Sequence, residues 1–297
     1  MRKQAQAEVN IYLQFARGCG QTGGSYELAG DGMSHAMGHN LKVRVLGSGT
    51  SMGVPVIGCR CAVCTSDDPY NKRLRTSVAL DVEGTHLLID CGIDFREQML
   101  RWPMPRLDAV LLTHTHSDHI NGIDELRVYN YLQRGSIPLH TSQYFIDDLR
   151  QRFQYCFNPL QQGGGIPQLD LMPVTPGQPF QAAGVEVIPI GIMHGVLPIL
   201  GYRIGNFAYL TDCSAIPEES LPLLQGLEVL ILTALRRTPH PTHFNLEQAL
   251  EAAAGLGAKR VFFIHMNDEL DHHATNRTLP DWARLAHDGL LIEVNGS

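Results

Sequence analysis

The stretch Thr113-His114-Thr115-His116-Ser117-Asp118-His119 follows directly on the apolar run Leu107-Asp108-Ala109-Val110-Leu111-Leu112. The run reads as a buried strand, and the polar stretch hangs three imidazoles and a carboxylate on its end. Imidazole and carboxylate together suit zinc, manganese or iron. In an extended segment the rings of His114 and His116 point to one side. Asp118 and His119 then swing out where the chain turns toward a helix-like segment at 123–132, so one loop can feed two neighbouring ions. The bland alternative is a histidine-rich surface loop that binds nothing. The strand-end position and the mix of ligand types argue against it.

Working outward, strands are expected at 41–46, 77–82, 86–90 and 107–112, with a helix at 95–101. The second half repeats the layout, with strands at 185–190, 201–204, 208–210, 229–232 and 260–264 and helices at 246–254 and 279–286. Pattern alone supports α/β or α+β. Residues 1–40 read as a flexible extension, glycine-rich over 18–38, in which 9–16 could form a short helix and Met33 or Met37 could be the translation start. The domain proper then covers 41–297.

With 297 residues and 44% hydrophobic content, the chain can bury one large core or two smaller layers closed over each other. A formal net charge of −7 gives no broad footprint for nucleic acid, although it allows a local basic pocket. No apolar stretch is long enough to span a membrane, and the start lacks the hydrophobic region of a secretory signal. A cytoplasmic protein is therefore expected, and its seven cysteines read as thiols or metal ligands rather than disulfides.

Two further constellations carry chemistry. Cys59-Arg60-Cys61-Ala62-Val63-Cys64 places three thiols at a spacing that suits three corners of a tetrahedral zinc, leaving the fourth to come from elsewhere. His243, in Pro239-His240-Pro241-Thr242-His243-Phe244-Asn245, stands at the entrance of the helix expected at 246–254. Free amides and the positive dipole end favour an anionic group there. A plain capping role competes, since Asn245 with Gln248 forms a capping-box pattern, and His240 competes for the catalytic one.

The 114–119 cluster resembles the His-x-His-x-Asp-His signature of the metallo-β-lactamase superfamily. That resemblance implies an α/β fold, the αβ/βα sandwich, in which two β-sheets flanked by helices carry a metal cleft at one edge. It also implies three more ligands: His194 in Ile192-Met193-His194-Gly195, Asp212 in Tyr209-Leu210-Thr211-Asp212-Cys213, and His265 in Val261-Phe262-Phe263-Ile264-His265. His114, His116 and His194 would hold one divalent ion and Asp118, His119 and His265 the other. Asp212 and a hydroxide would bridge them. Asp212 and His265 follow strand-like runs, whereas His194 comes a short gap after 185–190.

The cysteine knuckle, the preceding Leu46-Gly47-Ser48-Gly49-Thr50-Ser51-Met52-Gly53-Val54-Pro55, Leu88-Ile89-Asp90 and Gly122-Ile123-Asp124-Glu125-Leu126-Arg127 narrow the resemblance. Together they are similar to the PhnP family, the phosphoribosyl cyclic phosphodiesterases, over nearly everything from Leu41 onward. That family closes the knuckle with a histidine three residues after the final catalytic-site histidine, where this chain has Asp268. A structural zinc could then be completed by Asp268, His272 or His273, or the knuckle could be empty.

The implied function is metal-dependent hydrolysis of small cyclic or nucleotide-like phosphodiesters, using two zinc or manganese ions, with iron also open. His243 would contact the phosphate and protonate the leaving oxygen. Asp118 would be a ligand that also orients the hydroxide, and Asp90 a partner for a metal-bound imidazole. Arg127 would either steady the substrate or pair with Asp124. A glyoxalase-II-like thioesterase, a tRNase-Z-like nuclease and a PqqB-like cofactor-biosynthesis protein are the alternatives. The first lacks the knuckle, and the second carries a long RNA-binding arm where this chain has only the glycine-rich 161–167. The third has a degraded metal site. The expected partner is a small phosphodiester, with no extended nucleic-acid surface and no membrane, and a homodimer stays open.

Overall fold

The computed structural model describes residues 40–159 and 165–295. The expected extension at 1–40, its short helix, the alternative starts and Cys19 fall outside these residues apart from residue 40, as does most of the 161–167 loop.

Fourteen strands are found among the described residues. In chain order they are β1 Leu41–Gly47, β2 Ser77–Val82, β3 Thr85–Ile89, β4 Ala109–Leu111, β5 Ile137–Thr141, β6 Leu169–Pro173, β7 Phe180–Ala182, β8 Val185–His194, β9 Leu197–Ile204, β10 Phe207–Leu210, β11 Val229–Thr233, β12 Arg260–Ile264, β13 Ala283–Leu285 and β14 Leu291–Val294. They form two seven-stranded sheets, ordered β14-β1-β2-β3-β4-β5-β6 and β13-β12-β11-β10-β9-β8-β7. Each sheet joins an antiparallel half to a parallel half. Pairing is antiparallel from β14 to β3 and parallel from β3 to β6. It is antiparallel from β7 to β10 and parallel from β10 to β13.

The layers follow from which face of each strand is apolar. In β1, Leu41, Val43 and Val45 are buried while Lys42 and Arg44 alternate outward, the period-2 pattern of a strand. The buried face joins Val78, Leu80, Leu87 and Ile89 of the same sheet to Val187, Leu200, Tyr202, Tyr209 and Ile231 of the other, so one core lies between the sheets. Two outer cores seat helices. Phe95, Ile120, Leu126 and Leu149 cover the first sheet, and Leu246, Ala249, Ala253 and Leu256 cover the second. This is the expected αβ/βα sandwich.

Local differences from the sequence reading have physical causes. The helix expected at 279–286 is instead the short edge strand β13, where Ala283, Arg284 and Leu285 pair in parallel with Val261, Phe262 and Phe263. Its apolar spacing mimicked a helix, but the ladder to β12 claims the backbone of Ala283–Leu285. Strand β8 runs on through Gly191 to His194, because β9 pairs with it as far as Leu197. The helix-like 123–132 segment divides into a 3₁₀ turn, Ile123–Leu126, and an α-helix, Arg127–Gln133. No helix among the described residues is long and apolar enough to cross a membrane.

Candidate metal centre

The residues singled out from sequence leave the carboxyl ends of strands, the edge where ligands sit in α/β sheets. Asp90 follows β3, the 113–119 loop follows β4, His194 ends β8, Asp212 follows β10 and His265 follows β12. Asp90, Asp212 and His265 have φ values of 62°, 54° and 57°. The left-handed region is costly for residues with a Cβ, although Asp and His tolerate it better than most. Each marks a sharp turn at the end of its strand.

There the side chains form two groups that share one carboxylate. His114, His116, His194 and Asp212 bring a ligand atom each within 4.8 Å of one another, as do Asp118, His119, Asp212 and His265. Nε2 of His114 stands 3.0 Å from Nδ1 of His116 and 3.8 Å from Oδ2 of Asp212. On the other side Nε2 of His265 lies 3.4 Å from Oδ2 of Asp118 and 3.3 Å from Oδ1 of Asp212. The ligands come from both sheets, with His114, His116, Asp118 and His119 from the first and the remainder from the second.

Nδ1 of three of these rings is tied back to the protein, which leaves Nε2 facing the cluster. Nδ1 of His114 lies 3.0 Å from Thr113 Oγ1. His119 Nδ1 lies 2.8 Å from Asp90 Oδ2. His194 Nδ1 donates to the carbonyl of Thr242 at 2.8 Å. Asp212 is held likewise, its Oδ1 accepting from Thr211 Oγ1 at 2.7 Å while its N–H donates to Thr233 Oγ1. Asp90 was legible from sequence, whereas Thr113, Thr211 and Thr242 were missed. Their one signal is adjacency, since each immediately precedes a site residue.

The fit to divalent cations rests on an orphaned atom. His119 Nε2 is fully buried with no hydrogen-bond partner, although it is 3.3 Å from Asp118 Oδ2 and 3.4 Å from Asp212 Oδ1. One lone pair and two carboxylate oxygens converge on a common point instead of on each other, which is ligand geometry rather than hydrogen-bond geometry. Burial alone would lower His119, but the carboxylates of Asp212, Asp118 and Asp90 raise it well above the usual range, the field of a site that draws positive charge. Burial alone would raise the carboxyls of Asp118 and Asp212, but the surrounding imidazoles hold both well below the usual range. Burial, reinforced by neighbouring histidines, lowers His114 and His116 and keeps their lone pairs available.

His243 closes the cleft. Its Nε2 is 3.3 Å from Asp212 Oδ2, its ring stacks on His265 at 4.9 Å and 11°, and Thr242 Oγ1 is 3.0 Å from its Nδ1. Burial pushes it down to about 4, against the hydrogen bond with Asp212. His240 stands behind it, Nδ1 to Nδ1 at 3.2 Å. The expected capping box is present as well, since Asn245 accepts from Gln248 N and Gln248 from Asn245 N. With Asn245 as the cap, His243 is free to face the cleft. Arg127 pairs with Asp124 on its own turn, and Tyr155 also donates to Asp124.

The three thiols and Asp268 form a third group. Asp268 Oδ2 lies 3.3, 3.2 and 3.6 Å from Sγ of Cys59, Cys61 and Cys64. Backbone N–H groups of Val56, Cys61 and Cys64 point at the sulfurs of Cys64, Cys59 and Cys61, although burial pushes the Cys64 thiol up to about 12. His272 and His273 do not join this group. His272 is turned into a stack on Tyr70 with Nε2 near Asn276, and His273 reaches Asp68. Both stand at the start of the short helix His272–Asn276, which Asp271 caps by accepting from Ala274 N. Cys91 and Cys213 are fully buried packing residues whose thiols burial pushes up.

Residues 85–266 match the beta-lactamase superfamily domain. The chain belongs to the metallo-β-lactamase superfamily. It is a metallo-β-lactamase-fold hydrolase, and the fold implies divalent metal ions at the shared-carboxylate cluster. Within the superfamily it resembles a solved diphosphatase of the PhnP family, at 42% identity and a TM-score of 0.81, over 86% of this chain and 98% of that one. The octanoyltransferase of Porphyromonas gingivalis (strain ATCC BAA-308 / W83) is 41% identical over 259 residues, 85% of this chain, but the match spans only 52% of that protein. The chain is thus similar to about half of that relative's length. Coenzyme PQQ synthesis protein B of Methylobacterium radiotolerans is 35% identical over 307 residues, covering 86% of this chain and all of that protein.

Proposed function

We propose that the chain hydrolyses small phosphodiesters or diphosphate linkages, with His114, His116, His194 and Asp212 holding one divalent ion and Asp118, His119, His265 and Asp212 the other. The observation that carries the reading is the 3.3 Å approach of His243 Nε2 to Asp212 Oδ2, the carboxylate common to both ligand groups. Two divalent cations, when bound, supply charge for developing phosphoryl oxygens and lower the pKa of water to near neutrality. The rest is the work of the chain. Asp90 and the Thr242 carbonyl fix the rings of His119 and His194 by accepting their Nδ1 protons. Thr211 orients Asp212 through Oδ1, and the second oxygen of Asp212 faces His243. Protonated on both ring nitrogens, with Nδ1 donating to Thr242 Oγ1, His243 presents its Nε2 proton to the cleft, gives it to the leaving oxygen and ends as the neutral imidazole. Zinc and manganese both suit this mixed imidazole and carboxylate set.

The diphosphate reading is added to the expected phosphodiester one because the solved relative at 42% identity is described as a diphosphatase. Both bonds need the same parts, a charged floor and a donor for the leaving oxygen. The test assays metal-loaded protein against bis-p-nitrophenyl phosphate, a panel of cyclic phosphates and a dinucleoside diphosphate, with S-lactoylglutathione alongside. Turnover of the phosphorus substrates is expected. Thioester turnover alone would overturn the proposal.

A further inference from the structure

Outside the metal cleft, the first sheet carries a second concave site of about 250 Å³. Its floor is a single row across three strands. Lys42 of β1 stands opposite Asp81 of β2, and Asp81 opposite His86 of β3, so the three side chains share one face. Arg44, two residues beyond Lys42, lies on the same face. The outer layer stops short of this row, because the helix Phe95–Arg101 ends at Trp102, and the walls come from Trp102 and Met104.

The charged groups are placed rather than scattered. The backbone of Gly289 lies against the indole of Trp102, where a Cβ would come within 2.7 Å of Cζ2. The carbonyl of the same residue accepts from Arg44 Nη1 at 3.0 Å. That contact seats the guanidinium beside the indole and uses one of its five N–H donors. The Lys42 ammonium and the His86 imidazole form no hydrogen bond or ion pair among the described residues. The one acid of the row, Asp81, has Oδ1 occupied by the N–H of Gly84. An aromatic wall with two cations on one side is the arrangement that takes a flat ring carrying negative charge.

We propose that this cavity is a binding site for a small aryl anion, its single ring against Trp102 and Met104 and its anionic group between Lys42 and Arg44. Its volume lies below the range of about 300 to 1,000 Å³ typical of ligand pockets, which limits the occupant to one ring and its charged group. The site is separate from the metal centre. In strand β3, His86 lines the cavity and Asp90 follows the strand's end, about 13 Å further on at the rise of an extended chain.

The chain has two tryptophans, Trp102 and Trp282, and Trp282 packs on the far side of the second sheet. In a metal-loaded Trp282→Phe protein the emission of Trp102 therefore reports on the cavity. Titration with the non-hydrolysable phenylphosphonate should give a saturable change, and benzoate should give the same for a carboxylate. Exposed Lys42→Gln and half-buried Arg44→Gln should each weaken binding by about tenfold or more, as expected for loss of a charge-assisted contact, with circular dichroism unchanged. Absence of a saturable signal would overturn the proposal. So would an affinity left unchanged by both Lys42→Gln and Arg44→Gln, since the anion would then not be held by these two cations.

Discussion

Asp90 Oδ2 and His119 Nδ1 lie 2.8 Å apart, and both residues are fully buried. The carboxylate also accepts from the backbone N–H and the hydroxyl of Thr113, so it orients the first and last parts of the His-rich loop at once. Asp90→Asn keeps the size and loses the charge that fixes the ring. Metal affinity should fall by roughly 10- to 100-fold, measured by chelator competition. An unchanged affinity would show that packing alone positions His119.

His243→Ala removes the proton donor without removing a ligand. The diester rate should drop by about 10² to 10⁴, with metal content by elemental analysis unchanged. Parallel loss of metal and rate would make His243 a ligand instead.

Gly92 is needed for space. A Cβ there would come within 1.9 Å of the carbonyl oxygen of Asp118, and that atom belongs to the backbone of the ligand loop. Gly92→Ala should push Asp118 out of register and lower occupancy of the ion shared by Asp118, His119 and His265. Full occupancy by both ions in this variant would refute the steric argument.

For the knuckle, Cys61→Ser and Asp268→Asn should each lower bound zinc while leaving the shared-carboxylate cluster loaded. Metal counted per chain before and after substitution decides it, and an unchanged count means the four atoms are held together by hydrogen bonds alone.

Asp288 gives a pH dependence of stability. Burial raises its carboxyl to about 6, against donors from Leu74 and Ser48. The native state therefore holds a proton through the window from about 4 to 6 in which the unfolded chain has released it. The contribution is fully present below that window and is lost as pH rises through it, by about 3 kcal/mol. Urea unfolding of the protein and of Asp288→Asn at both ends of the window should show their stability difference moving in favour of the variant as pH rises. A constant difference would remove Asp288 as the cause.

The His114–His119 loop and the knuckle were legible because each packs several ligand types into a few residues. Asp212 and His265 were legible through strand order, and His194 despite a shorter expected strand. What the sequence hid depended on pairing. Strand β5 contains Pro138 yet pairs on both sides, and a proline argues against such a strand. The polar helix Gln143–Arg152 and the closing strand β14 went unread as well. The identity of the fourth atom at the knuckle turned on where a short helix points its rings, a tertiary matter. The row from Lys42 to His86 exists only in the register of three strands.

Because His114, His116, Asp118 and His119 belong to one sheet and His194, Asp212 and His265 to the other, affinity for cations is also adhesion between the layers. Cations that bind the folded chain alone stabilise it by about 4 kcal/mol each when free ion exceeds its Kd by roughly 1,000-fold. The melting temperature should therefore rise with metal concentration, and a chelator should act on this protein as a mild denaturant.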